Sequence, residues 1–299
     1  MGCGVSKNVS AESNTWVPAA KPIIFETSAE PDTVLIFLHG IAGQGAKFED
    51  PLKALFAGRP GLRVVLPTSP ATADRVVQAQ MTSVVKDLSG EFAGKVFGAA
   101  VRATDAKLNN WYDDVDDLVT DEEFQRISDE GETAEFVFTT PLFEKSQDMK
   151  RAIAYVHGLI REQITSGIPA ERIFVGGHSM GGFVATRVAL SFPDAPLAGL
   201  LAVSTFANMT WPLQIAPAQS NLGMLKTHGI QDQVITLARA ETEAAELRKV
   251  LAAADKLEYV TFDNMRHNLG PEAFDLSYSG LKDPSHELGA KVLEFIKPA

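Results

Sequence analysis

Residues 166–190 read SGIPAERIFVGGHSMGGFVATRVAL, and this stretch decides how the 299-residue chain folds. IFVG at 173–176 is a short apolar run with Pro169 before it and glycine after it, the pattern of a buried strand. FVATRVAL at 183–190 reads as a helix. Between them, Gly177, His178, Ser179, Met180 and Gly181 match G-x-S-x-G, followed by a further glycine at 182. In such a strand–turn–helix setting the serine sits in a strained backbone conformation at the top of a sheet, and flanking glycines let neighbouring backbone pass closely. The setting predicts that Ser179 is a nucleophile. The competing reading is a tight turn in which the serine merely caps the helix.

The flanking sequence repeats the same rhythm. Upstream, Met149, Ala152, Ile153, Val156, Leu159, Ile160 and Ile164 fall on one helical face, and Gly167 with Pro169 ends that helix. KPIIFE (21–26), TVLIFL (33–38) and LRVVLP (62–67) read as strands, with a short helix over 47–58 between the last two. Downstream, LAGLLAVS (197–204), GMLKTHG (223–229) and LEYVTF (257–262) read as strands, with helices over 236–255 and 286–297. Strands alternating with helices, several apolar on both faces, predict an α/β fold with a mostly parallel central sheet and helices on both faces. No internal repeat or low-complexity linker marks a second domain, so residues 22–299 read as one domain.

Two segments depart from the rhythm. Residues 71–110 are weakly amphipathic and read as an insertion able to cap an active site. Residues 113–135 hold eleven acidic residues against Arg126 alone, a net −10 of the chain's −11, and read as a solvated acidic insertion. The negative balance argues against nucleic acid and against electrostatic adsorption to an anionic bilayer. A single cysteine excludes an intrachain disulfide and any thiolate-rich metal site, and suits a reducing, cytoplasmic setting.

A serine hydroxyl needs a base, and the base needs an orienting acid; in this architecture they follow in the order Ser, Asp or Glu, His. His267, in the loop DNMRHN after the last strand, fits the base. His228 precedes every good acid, and His286 opens the terminal helix. Asp232 follows the penultimate strand and fits the acid, with Asp255 and Asp263 as alternatives. The oxyanion formed on attack needs backbone donors: the N–H of Met180, after the nucleophile, and one from the glycine-rich loop His39–Gly45, where Ile41 is the expected donor. His39 itself reads as a structural hydrogen bonder.

The first residues, MGCGVSKNVS, have no apolar core of a secretory signal and match M-G-x-x-x-S, the N-myristoylation pattern, which presents Gly2. One myristoyl chain binds membranes only marginally, and Cys3 beside it offers a site for a second, palmitoyl, chain. Residues 1 to about 21 therefore read as a tether to a membrane surface on the cytoplasmic side.

Taken in order, FLHGIAGQG, PTSP, WYDD, SGIPAERIFVGGHSMGG, HGIQDQVI and NMRHN resemble the acyl-protein thioesterase and carboxylesterase family of α/β hydrolases, over most of residues 32–298. The resemblance implies Ser179, Asp232 and His267 as the triad, Ile41 and Met180 as oxyanion donors, and Trp111 in the wall of an apolar acyl channel. It implies hydrolysis of acyl thioesters and esters, on acylated proteins or small acyl-ester substrates, without metal or cofactor. Carboxylesterase or lysophospholipase activity with the same triad, or an inactive membrane-tethered acyl-binding protein, are the alternatives. The family elbow usually reads G-F-S-Q-G-G, so His178 and Met180 are departures, as is Ile230 in place of the first acid of HG-D-x-D.

Overall fold

The computed structural model describes residues 16–41, 43–72, 108–112, 147–205, 213–270 and 278–297. The strands are β1 (Ala20–Glu26), β2 (Thr33–Leu38), β3 (Leu62–Thr68), β4 (Ala71–Thr72), β5 (Leu108–Asn109), β6 (Ile173–His178), β7 (Gly199–Val203), β8 (Met224–Gly229) and β9 (Leu257–Phe262). The helices are α1 (Glu49–Phe56), α2 (Gln147–Thr165), α3 (Met180–Ser191), α4 (Leu237–Val250), α5 (Ser279–Lys282) and α6 (Glu287–Phe295). Seven strands form one sheet in the order β1-β3-β2-β6-β7-β8-β9. All neighbours run parallel except β1 against β3.

The apolar runs explain both faces of the sheet. Along β2, Val34, Ile36 and Leu38 turn toward α2 and α3, packing with Met149, Val156, Phe183 and Val184. The alternate residues Leu35 and Phe37 turn the other way, onto Phe48, Leu52, Phe56, Leu288 and Val292 of α1, its approach and α6. Every residue of β2, β6, β7 and β8 is buried, as a strand covered on both faces requires. Helix α3 is buried nearly all round, between the sheet, α2 and the loop after β7. These are the predicted α/β architecture and helices on both faces.

Register fixes where the loops emerge. Leu38 of β2 pairs with Gly177, His178 pairs with Val203, and Gly229 pairs with Phe262. The carboxyl ends of β2, β6, β8 and β9 therefore lie along one edge, the usual place for a site in an open α/β sheet. The loops carrying Ile41, Ser179, Asp232 and His267 all leave from that edge.

Three local outcomes differ from the sequence reading. The composition that marks residues 1–21 as a tether misses Trp16, whose ring lies 5.3 Å from that of Tyr155 and whose Nε1 donates to the Trp111 carbonyl at 3.2 Å. Residues 16–21 thus belong to the folded body, because one aromatic side chain outweighs its small, polar neighbours. The helix expected to reach 255 ends at Val250: Leu251 is extended and packs on the core, which overrides the helix propensity of the alanines that follow. The two ends of the 71–110 insertion pair with each other, Ala71 opposite Asn109 and Thr72 opposite Leu108. The body of that insertion, the acidic residues 113–135, and Gly2 and Cys3 lie outside the described residues. Among the described residues no helix is long and apolar enough to cross a membrane.

Candidate active site

Ser179 is the hinge between β6 and α3. Its φ of 53° and ψ of −123° are strained for a residue with a side chain, as expected of a serine forced out at a sharp turn. The glycines make the turn possible: a Cβ at Gly177 would come within 2.4 Å of the Gly181 backbone, and one at Gly181 within 2.3 Å of the Leu38 carbonyl oxygen. The turn is tied down from below. Ser179 N–H donates to the Val203 carbonyl at 3.0 Å, and the Thr205 hydroxyl donates to the Ser179 carbonyl at 2.7 Å. Buried Lys226 of β8 in turn donates to the Thr205 carbonyl at 2.6 Å, its ammonium pushed down to about 8 by burial.

His267 and Asp232 converge on the serine. His267 Nε2 lies 2.9 Å from Ser179 Oγ, and its Nδ1 lies 2.8 Å from Asp232 Oδ2. Residues 88 apart in sequence thus meet within hydrogen-bond reach. The other oxygen of Asp232, Oδ1, accepts the backbone N–H groups of Val234 and Ile235 at 2.8 and 2.9 Å. Both oxygens are satisfied, so the carboxylate can stay charged although buried. Burial alone would raise its pKa; the charge and hydrogen bond of His267, with His228 and the Ile235 N–H, outweigh it and hold the carboxyl below its ordinary value. The alternatives fail on position. Asp255 sits at the opposite end of β9 and is exposed, Asp263 is exposed, and His286 caps α6 by accepting the Leu288 N–H. His228 lies 3.7 Å from Asp232, but its Nε2 donates to the Ile235 carbonyl at 2.8 Å.

The loop after β2 closes over the serine. A Cβ at Gly40 would stand 3.2 Å from Ser179 Cβ, so the backbone leading into Ile41 passes close to the serine side chain. Met180 is the first residue of α3, whose leading N–H groups find no partner within the helix. His39 shapes the loop: its Nδ1 donates to the Gly40 carbonyl at 2.6 Å, while Nε2 accepts the Ser69 N–H at 3.1 Å, which fixes the tautomer. Burial holds this ring neutral, with a pKa of about 4. Trp111, expected in a channel wall, is completely buried and acts on the same loop, its Nε1 donating to the His39 carbonyl at 2.8 Å.

The model of the phospholipase and carboxylesterase family matches residues 135–280. Over 253 residues the chain is 25% identical to acyl-protein thioesterase 1 of Mycosarcoma maydis, a match spanning 82% of this chain and 88% of that protein. The chain is thus similar to acyl-protein thioesterases and to the phospholipase and carboxylesterase family. A stretch of 139 residues is 32% identical to acyl-protein thioesterase 1 of Gibberella zeae, spanning 44% of this chain and 56% of that relative. Among solved structures, Arabidopsis thaliana SOBER1 matches with a TM-score of 0.53 at 16% identity, over 84% of this chain and 97% of that one. This last likeness shows the α/β-hydrolase fold.

Several residues around Ser179 carry little signal in the sequence. Thr205, just after β7, and Lys226 of β8 brace the serine turn, yet in sequence they are an ordinary threonine and a lysine inside a strand. His178 ends β6 and His228 is the last residue but one of β8, and a histidine in an otherwise apolar run is the available sign that something polar has to be met there.

Proposed function

We propose that the chain cleaves acyl thioesters or acyl esters, with Ser179 as nucleophile, His267 as general base and acid, and Asp232 as the group that orients His267. The observation that carries this reading is the continuous hydrogen-bond line from Asp232 Oδ2 through both nitrogens of His267 to Ser179 Oγ, at 2.8 and 2.9 Å. His267 Nε2 takes the hydroxyl proton as Oγ attacks the acyl carbonyl carbon. The tetrahedral oxyanion is received by the N–H groups of Ile41 and Met180. On collapse the carbon–sulfur or carbon–oxygen bond breaks, and the leaving thiolate or alkoxide takes the proton from His267. Water, deprotonated by the same imidazole, then attacks the acyl-enzyme and releases the carboxylic acid with Ser179 restored. Asp232 keeps Nδ1 protonated so that Nε2 is free to accept, and stabilises the imidazolium that forms.

The names of the relatives support acylated proteins as substrates, and the family description supports small carboxylic esters and lysophospholipids as the second reading. Gly2 and Cys3 add a membrane location on the cytoplasmic side: myristate on Gly2 with palmitate on Cys3 gives the two chains that stable anchoring needs. The test compares kcat/KM for a palmitoyl-cysteine peptide, a short p-nitrophenyl ester and a lysophospholipid, in wild type and Ser179→Ala. The thioester is expected to be preferred, and Ser179→Ala to lose at least about 10³-fold in kcat on every substrate. Wild-type turnover by Ser179→Ala refutes the nucleophile; a preference for the lysophospholipid refutes the substrate class. Intact mass of the protein from its native cell reads the two acylations directly.

A further inference from the structure

The base loop poses a mechanical question. His267 must keep two hydrogen bonds at once, yet among the described residues no backbone–backbone hydrogen bond involves its own N–H or carbonyl; the loop is tied through its neighbours Met265, Arg266 and Leu269. The His267 carbonyl is met instead by a side chain, His178 Nε2, at 2.6 Å. A carbonyl can only accept, so Nε2 carries the proton.

His178 is built to hold that contact. It is the residue immediately before Ser179, it is buried, and its ring lies between Phe48 (6.0 Å between centroids), Tyr278 (5.6 Å, edge-on) and the His267 ring (5.0 Å). Its other nitrogen, Nδ1, faces the loop after β2, 3.2 Å from where a Cβ on Gly40 would stand. One rigid ring therefore touches the base loop and the loop beside the serine, and is itself part of the nucleophile turn. Burial, reinforced by the charge of His267, keeps it neutral with a pKa of about 3, so it adds no competing charge beside the imidazolium. Its place in the chain is occupied by phenylalanine in the family pattern, which packs but cannot donate.

We infer that His178 is a positioning residue: its Nε2–H ties the backbone of His267 to the turn carrying Ser179, fixing the base at proton-transfer distance from the hydroxyl. The inference rests on the hydrolase reading above. Small displacements of a reacting pair are costly to rate, about a hundredfold for 1 Å, so a loosened loop lowers kcat without altering substrate binding.

The test uses the full chain with p-nitrophenyl butyrate and a fluorophosphonate probe. Glutamine keeps a donor near the position of Nε2, methionine matches glutamine in length without one, and phenylalanine keeps the ring packing. His178→Gln is expected to stay within threefold of wild type in kcat. His178→Met and His178→Phe are expected to fall at least tenfold in kcat and in labelling rate, with KM changed less than twofold. Equal rates for His178→Gln and His178→Met, or a loss that appears in KM alone, overturn the inference, and the Gln and Met pair decides it even if the phenylalanine variant does not fold. Absence of labelling at Ser179 in wild type overturns the underlying hydrolase reading instead.

Discussion

Lowering the pH from 8 to 5 should unfold this protein through three histidines that no reaction step uses. His39, His178 and His228 are buried, and burial holds their pKa values at about 4, about 3 and about 4, against an ordinary value of about 6.5. Each donates from one nitrogen to a backbone carbonyl, of Gly40, His267 and Ile235 respectively. The sign follows from proton counting. Between about pH 6.5 and pH 4 the unfolded chain binds a proton at each of these positions and the folded chain does not, so stability rises with pH across that window. The contribution is fully present above about pH 6.5 and is lost as the pH falls toward the folded values. At pH 6 the loss is about 0.8 kcal/mol per histidine, and at pH 5 about 2 kcal/mol, or roughly 6 kcal/mol for the three. Buried His157, also lowered by burial, adds in the same direction. Asp232, held below the ordinary carboxylate value, acts only at lower pH and does not enter this window. Since domains of this kind have about 5–15 kcal/mol in hand, a loss of this size brings the transition close to pH 5. Urea unfolding followed by tryptophan fluorescence at pH 8, 7, 6 and 5 measures the effect, with an unchanged slope against urea as the two-state check. Equal unfolding free energies at pH 7 and pH 5, or imidazole proton resonances of these residues titrating near 6.5 in the folded protein, would refute the reasoning.

Asp232→Asn should retain the turn, because an amide oxygen can still accept the Val234 and Ile235 N–H groups, but it presents N–H to His267 Nδ1 and favours the wrong tautomer; a drop of about 10³–10⁴-fold in kcat on a p-nitrophenyl ester is expected with the melting temperature little changed, and a loss under tenfold counts against the role given to Asp232. Gly181→Ala puts a methyl 2.3 Å from the Leu38 carbonyl oxygen and 2.4 Å from that of His39, backbone that cannot swing aside. It should displace the loop after β2 from Ser179, costing about 1–3 kcal/mol in stability and at least about 100-fold in kcat. A variant with wild-type melting and turnover would show that the elbow and that loop do not depend on this close approach.

The legible part of the fold rests on short-range rules. A buried parallel strand must be apolar on both faces, so TVLIFL, RIFVG and GMLKTHG stand out locally, and a turn as tight as 177–182 admits almost nothing but glycine beside its serine. The β4–β5 pairing had no such mark, since two residues at each end of a long insertion carry no periodicity. The end of α4 at Val250 was equally hidden: the alanines after it favour a helix, and only Leu251 packing onto the core stops it. Trp16 was misread with its neighbours because composition averages over a window while docking depends on one ring.

The sequence by itself determined that a serine stands on a strained turn at the end of a central strand, and that an acid and a histidine follow in the order the chemistry uses. These are facts of neighbouring residues and chain order. Tertiary structure decided which acid meets His267: the pairing of β8 with β9 brings Asp232 to it and leaves Asp255 at the far end of the sheet. It also decided what His178 does, because the carbonyl it meets, that of His267, lies 89 positions further along the chain. A hydrogen bond is satisfied by whatever is within about 3 Å, and for residues 35 or 88 positions apart that distance is set by the sheet.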